Sequence, residues 1–240
     1  SGLVGSEMCI RDRNADFEMV MYNADGSRGA MCGNGIRCVA KYVYDHKLTD
    51  KTTVTIASMG AVKTIDIQVQ DGVAVGASVD MGAPILDPAA IPVVTDCKPP
   101  VDVPITVHDT VYKMTCVSMG NPHAVVFIDR SPREFPLEQV GPLFEHHPRF
   151  PDRTNTEFAF VQDRQNIEMR VWERGSGETL ACGTGACATA VAAILGGYVD
   201  HRVTVHLLGG DLQISWSGKA EDSVMMTGPA TTVFSGKIDL

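Results

Sequence analysis

Two cysteines of this chain each lead into a Gly-x-Gly turn and then into an apolar, helix-like segment. Cys32 precedes Gly-Asn-Gly at positions 33–35, and Cys182 precedes Gly-Thr-Gly at positions 183–185. Glycines let backbone N–H groups come close to a ligand, and a helix start offers unpaired donors and partial positive charge, which favour a thiolate and a bound carboxylate. Because two such turns occur in separate halves of one chain, we predict that both cysteines face a single ligand from opposite sides.

Two opposed thiols could invert a stereocentre next to a carboxylate. Inversion requires a base that removes a weakly acidic proton from one face of the carbon and an acid that returns a proton to the other. Cys32 and Cys182 can fill both roles if one is a thiolate and the other a thiol when substrate binds. The two helix starts, at 33–34 and 183–184, could hold the α-carboxylate where negative charge builds up. One such donor contributes roughly 3–4 kcal/mol in other enzymes, so several could substitute for a cofactor.

The segments that must position these thiols are short β-like runs interrupted by three helix-like stretches. Apolar spacing predicts helices over 35–46, 137–146 and 186–195, the last apolar on all sides and therefore buried. Alternating apolar and polar residues predict strands at 18–22, 52–57, 61–69, 73–81, 112–118, 124–128, 157–161, 167–173, 202–207, 212–216 and 224–227. The pattern favours an α+β fold of two pseudo-symmetric domains, each a mostly antiparallel sheet wrapped around a central helix.

Domain boundaries follow from composition along the chain. A proline-rich stretch at 84–104 is the best linker candidate, which predicts an N-terminal domain of residues 14–83 plus 229–240 and a C-terminal domain of residues 84–228. Residues 1–13 show neither alternation nor helical spacing, and we interpret them as an adapter-derived segment. On that interpretation the natural N-terminus is missing, the first domain is incomplete, and activity is expected to be impaired.

Bulk composition narrows the class of partner. The chain has 240 residues, 44% of them hydrophobic and 20% charged, which indicates an ordinary globular core. A net charge of −9 without a basic cluster argues against nucleic acid or an anionic membrane surface, and so favours a small-molecule substrate. The seven dispersed cysteines are an odd number and no secretory signal is recognisable, so we expect a reducing cytoplasm and no disulfide framework. The longest apolar run, 186–199, is too short to span a bilayer.

Further motifs fall in order between and around the two thiol turns. They are Asn-Ala-Asp-Gly-Ser at 23–27, Gly-Asn-Pro-His at 120–123, Arg-Thr-Asn at 153–155 and Glu-Arg-Gly-Ser-Gly-Glu-Thr at 173–179. Together with the thiol turns, these motifs resemble the diaminopimelate epimerases, and the resemblance extends from residue 14 to the C-terminus. The resemblance implies a pyridoxal-independent isomerase without a cofactor or a metal, which interconverts LL- and meso-diaminopimelate in lysine and peptidoglycan precursor biosynthesis. It also implies a possible homodimer.

The motif residues divide by their chemistry. Glu173 could accept the substrate ammonium, and Arg174 offers a planar fork for the far carboxylate of a dicarboxylic substrate. The resemblance also implies that His123 and Glu173 tune the two thiols. The expected substrate-binding set is Asn23, Gly33, Asn34, Asn121, Asn155, Glu173, Arg174, Gly183 and Thr184. The remaining cysteines, at 9, 38, 97, 116 and 187, are interpreted as packing residues.

Three other functions remain open at this point. A proline-racemase-like isomerase would share the two-cysteine chemistry, but Glu173, Arg174 and the three asparagines would then lack a second carboxylate and amine to bind. A non-enzymatic four-thiolate zinc module could use Cys32, Cys38, Cys182 and Cys187, but zinc sites favour two to four residues between paired cysteines, and the gaps here hold five and four. A thiol redox protein is a third candidate, and the chain has no Cys-x-x-Cys.

Overall fold

The computed structural model describes residues 15–22, 26, 32–58 and 61–236. The predictions for residues 1–13 and for Asn23 therefore lie outside the described residues. The chain divides into two compact units, Ser1–Asp80 with Thr227–Leu240, and Met81–Met226.

In the first unit, one helix packs against a sheet of hydrogen-bonded strands. Its elements are β1 Phe17–Glu18, α1 Gly33–Asp45, β2 Thr53–Ser58, β3 Ala61–Gln70, β4 Val73–Asp80 and, from Thr227 onward, the strand β13 Met225–Pro229. The strand order is β1-β2-β3-β4-β13, with β1 parallel to β2 and the β2–β3 and β3–β4 pairs antiparallel. Ile36, Ala40 and Val43 recur at helical spacing on α1 and are fully buried, because this face of the helix packs on β3 and β4.

The second unit is a larger sheet that carries two helices. Its strands are β5 Val103–Val107, β6 Thr110–Ser118, β7 Pro122–Phe127, β8 Asn155–Asp163, β9 Asn166–Glu173, β10 Gly177–Thr179, β11 Arg202–Leu207 and β12 Gly210–Ser215. Its helices are α2 Leu137–Glu145 and α3 Gly183–Leu195, and a short 3-10 turn covers Pro132–Glu134. The order is β12-β11-β9-β8-β7-β6-β5, with β10 paired to β9. Pairs β7–β8 and β9–β11 are parallel and the others antiparallel.

Helix α3 is buried along nearly its whole length, as its all-apolar sequence predicts. It packs on β6, β7, β8 and β9 on one side and contacts β11 and β12. Small residues such as Ala186, Ala190 and Ala193 allow this close approach to the sheet and are fully buried. This packing holds α3 against the sheet.

The predicted α+β class with mostly antiparallel strands is confirmed, and the differences are local. Both thiol helices begin earlier than predicted, at Gly33 and Gly183, because the preceding cysteine caps the helix and the glycines form its first turn. Strand β5 begins at the end of the segment interpreted as a linker. Pro104 argued against a strand there, but β5 is an edge strand, where proline removes no ladder hydrogen bond.

Among the described residues, no helix has the length and apolar character needed to cross a membrane.

Candidate active site

The two predicted thiols occupy equivalent positions, each as the N-cap of a thirteen-residue helix. Both cap residues are extended, with φ and ψ of −114° and 113° at Cys32 and −124° and 109° at Cys182. In each case the sulfur accepts a hydrogen bond from the N–H of the third helical residue, Gly35 or Gly185, at 3.3 Å. A cap of this kind directs the positive end of the helix at the sulfur, which stabilises negative charge there.

Cys182 lies against polar side chains that come from the sheet below α3. The parallel register pairs His123 of β7 with Asn155 of β8, and Glu157 lies two residues further along β8 on the same face. Glu157 pairs with Val171 of β9, so Glu173, two residues on, shares that face as well. The sheet therefore brings an imidazole and two carboxylates to the start of α3.

The two carboxylates and burial together determine the protonation of the Cys182 thiol. Burial, reinforced by the negative charges of Glu173 and then Glu157, raises the pKa of Cys182. Burial and the charge of Glu157 also raise the pKa of Glu173, opposed by the Thr179 hydroxyl, which donates to Glu173 Oε1. Cys182 is therefore a thiol at neutral pH in this state of the protein.

His123 is held between two side chains. Its Nδ1 lies 2.7 Å from Glu157 Oε1, with both side chains fully buried, and its Nε2 lies 3.1 Å from Asn121 Oδ1. His123 and Asn121, both predicted from the sequence as site residues, are therefore in contact with each other.

Asn155 acts on the backbone of its neighbours. Its Nδ2 donates to the Pro122 carbonyl at 2.8 Å, and its Oδ1 accepts the N–H of Arg174 at 2.9 Å. Asn155 is also nearly inaccessible, with 4% of its surface exposed. In this state Asn155 links the first residue of β7 to the turn that follows β9.

The turn that carries Arg174 is fixed by a further buried carboxylate. Glu145, which is 4% exposed, accepts the Gly175 N–H at 2.9 Å and the Trp172 indole N–H at 2.7 Å. The Arg174 guanidinium reaches the Asp152 carbonyl at 2.9 Å and its side chain is exposed. The backbone at Arg174 is thus fixed by hydrogen bonds to Asn155 and Glu145, while the guanidinium of Arg174 is exposed to solvent.

The surroundings of Cys32 differ from those of Cys182. The side chain of Arg37 folds back along α1, where Nη1 donates to the Gly33 carbonyl at 3.0 Å and Nη2 to Asn34 Oδ1 at 3.2 Å. Its Nε donates to the Pro229 carbonyl at 3.3 Å, which ties the first turn of α1 to β13. A buried guanidinium therefore lies in the first turn of the Cys32 helix.

Three residues of these sites were not identified from the sequence. Glu157 was counted only as the first residue of a strand, although a single carboxylate in an otherwise apolar run, two residues after Asn155, is a recognisable signal. Arg37 lies two residues after the Cys32-Gly-Asn-Gly turn, and its spacing alone does not indicate that its side chain folds back onto that turn. Glu145 lies in an amphipathic helix, where an acidic residue is ordinarily solvated.

The zinc-module hypothesis and the packing interpretation both concern the cysteines of the chain. No group of three or more His, Cys, Asp or Glu side chains that could hold a metal ion occurs among residues 15–22, 26, 32–58 and 61–236. Cys32 and Cys182 are free thiols, and Cys38, a member of the hypothetical zinc set, is exposed. Cys116 and Cys187 are fully buried, as expected of packing residues, and burial raises the pKa of Cys116 to about 12. The same interpretation is wrong for Cys38 and Cys97, which are exposed, and Cys9 lies outside the described residues.

Comparison with known proteins gives close sequence relatives. The family model described as diaminopimelate epimerase matches residues 2–86 and 115–233. A diaminopimelate epimerase of Methanococcus maripaludis is 54% identical over 226 residues, which covers 94% of this chain and 81% of the relative. A diaminopimelate epimerase of Acetivibrio thermocellus is 50% identical over 239 residues, which covers 100% of this chain and 85% of the relative.

Solved structures with the same fold are more distant in sequence. A probable proline racemase from Agrobacterium radiobacter superposes with a TM-score of 0.73 at 16% identity, over 98% of this chain and 76% of that protein. A hydroxyproline epimerase from Agrobacterium vitis superposes with a TM-score of 0.69 at 15% identity, over 93% of this chain and 71% of that protein. At such identities the likeness establishes the fold.

Proposed function

Because this chain belongs to the diaminopimelate epimerase family, we propose that it interconverts LL- and meso-2,6-diaminopimelate by moving a proton at the α carbon. This reaction would serve lysine and peptidoglycan precursor biosynthesis. The observation that most supports the mechanism is the pair of matched thiol caps, in which each sulfur accepts the N–H of the third helical residue at 3.3 Å. The chemistry requires two such groups, since one must take a proton while the other gives one.

We assign Cys182 as the acid of the resting enzyme. Its thiol is buried and lies close to Glu173 and Glu157, and both carboxylates disfavour the thiolate. The reaction needs one group of each kind, so Cys32 is assigned as the base when substrate binds. The two assignments exchange for the reverse reaction.

The remaining residues bind and orient the substrate. N–H groups in the first turns of α1 and α3, at residues 33–34 and 183–184, would hold the α-carboxylate as charge develops on it. The exposed guanidinium of Arg174, on a turn braced by Asn155 and Glu145, is suited to the far carboxylate. Glu173 would accept the ammonium group, and Asn121 would bind the far amino acid group.

The test is the replacement of each cysteine by alanine, with deuterium uptake from D2O into diaminopimelate as the readout. We expect Cys32→Ala and Cys182→Ala each to lose about 10²–10⁴-fold in kcat, the range for a positioned acid or base. Cys38→Ala and Cys187→Ala are matched controls, one on each thiol helix, and should retain activity. Undiminished exchange in either active-site variant would refute the proposal.

Proline, assayed in parallel, separates the two isomerase hypotheses. Racemisation of proline without turnover of diaminopimelate would favour the proline-racemase-like alternative. The homodimer that the family resemblance implies stays a prediction, and sedimentation equilibrium tests it.

A further inference from the structure

Glu157 is a buried carboxylate that contacts the imidazole expected to tune a thiol. Its Oε1 lies 2.7 Å from His123 Nδ1, and neither side chain has any exposed surface. When the carboxylate is ionised it only accepts hydrogen bonds, and the proton in this contact then lies on His123 Nδ1. The other ring nitrogen, Nε2, lies 3.1 Å from Asn121 Oδ1, which is also an acceptor, so the ring donates in both contacts only when Nε2 carries a proton as well.

The second oxygen of Glu157 has no hydrogen-bond partner among the residues that the structure describes. A buried carboxylate oxygen without a partner costs stability, so this oxygen does not contribute to folding. The charge at this position is therefore better explained by its effect on His123 than by its contribution to folding.

The first turn of α3 leaves space for this carboxylate. A Cβ atom added to Gly185 would lie 2.6 Å from Glu157 Oε1 and 3.2 Å from Cys182 Sγ. Glycine at this position thus lets one turn of helix approach both the sulfur and the carboxylate. Glu173, the remaining carboxylate here, interacts with both Glu157 and His123 electrostatically.

We propose that Glu157 is a positioning residue, which accepts a hydrogen bond from His123 Nδ1 and so fixes the imidazole ring with its Nε2 at Asn121. This effect passes through His123, adds to the direct effect of the Glu157 charge on Cys182, and needs no contact with substrate. It resembles the effect of a carboxylate that orients a catalytic imidazole. This inference rests on the proposed epimerase activity, because Asn121 is assigned there to the substrate.

A double-mutant cycle tests whether the effect of Glu157 on kcat depends on His123. We expect Glu157→Gln to lower kcat about 10–100-fold, the scale for a residue that orients a functional imidazole, with KM changed by less than about threefold. In a His123→Gln background the same change should cost several-fold less, because only the direct effect of the Glu157 charge on Cys182 is left. An equal loss in both backgrounds would show that the effect does not pass through His123 and would overturn the proposal.

Glu168→Gln is the matched control for this substitution. Glu168 on β9 also has one paired oxygen, which accepts from Gln162 Nε2 at 2.6 Å, and one buried oxygen without a partner among the described residues. This control should retain wild-type kinetics.

A second measurement does not depend on activity. Long-range ¹H–¹⁵N spectra report which imidazole nitrogens carry a proton, and His123→Gln identifies the His123 signals. We expect a protonated Nδ1 in the unmutated protein and a changed pattern in Glu157→Gln. A His123 ring without a proton on Nδ1 would overturn the proposal even if the enzyme is fully active. The expected spectrum from a protein that does not turn over diaminopimelate would instead refute the proposed function and support the Glu157–His123 geometry.

Discussion

Helices α1 and α3 repeat one backbone design in two electrostatic settings. Both have thirteen residues, begin at glycine and are capped by a cysteine whose sulfur accepts an N–H at 3.3 Å. Five positions after the cap, α1 carries Arg37, which binds its own first turn, whereas α3 carries the buried, uncharged Cys187. Glu157 and Glu173 approach the second cap from the sheet. At Cys182, therefore, helix α3 specifies the cap geometry, and strands β8 and β9 specify the negative charge around the sulfur.

The largest expected effect comes from adding a methyl group to each turn. In Gly185→Ala the new Cβ would lie 2.6 Å from Glu157 Oε1, so the carboxylate and the sulfur must move. We expect a loss of about 100-fold in kcat, the scale for a catalytic group displaced by about 1 Å. At Gly35 the nearest atoms would be 3.5 Å away, an ordinary contact, and Gly35→Ala should cost much less.

Kinetics of the two alanine variants, with thermal unfolding as a check on folding, decide this comparison. Equal losses at 185 and 35 would mean that the crowding around Cys182 has no part in catalysis.

The next effect is a loss of stability on removal of the Arg37 guanidinium, which has no counterpart on α3. Arg37→Met leaves the Gly33 and Pro229 carbonyls without their donor, so we expect the free energy of unfolding to fall by about 1–3 kcal/mol. Arg37→Lys keeps the charge without the planar fork and should recover part of that loss.

Urea titration followed by circular dichroism measures the change, with the surface variant Lys47→Met as a control. Unchanged stability in Arg37→Met would mean that the α1 turn does not depend on this side chain.

The smallest effect concerns the charge beside Cys182. Because Glu173 helps to raise the pKa of the Cys182 thiol, Glu173→Gln should lower that pKa and increase the thiolate fraction at a given pH. Alkylation of Cys182 by iodoacetamide should then be several-fold faster at mildly alkaline pH, and its rate profile should move to lower pH.

Peptide mass spectrometry follows Cys182 separately from the other cysteines, and Glu168→Gln provides a carboxylate control away from the thiol. A rate profile that does not move would remove Glu173 from the groups that keep Cys182 protonated.

The sequence was sufficient for the parts of the site that depend on local structure. Cys-Gly-x-Gly followed by an apolar run predicts a capped helix, and both Cys32 and Cys182 are caps. The three helices and most strands follow from periodicity for the same reason. Helix starts were misplaced because glycine is a poor helix former, although it occupies the first turn here.

Other parts depend on pairing between distant segments and could not be predicted. Glu157 meets His123 only because β7 and β8 pair in parallel with one particular register. The Asn155 amide could serve a substrate or a backbone, and its contacts with Pro122 and Arg174 appear only when the strands are assembled. Pro104 lies in a strand because that strand is at an edge, which is a property of the whole sheet.

The two carboxylates near Cys182 belong to β8 and β9, and neither belongs to α3. If α1 and α3 were exchanged as cassettes in a chimaeric protein, the sulfurs would move with the helices while the acidic neighbours stayed behind. Relocating the acidic surroundings that keep one sulfur protonated therefore requires redesign of β8 and β9, since an exchange of helices would carry over Arg37 but neither carboxylate.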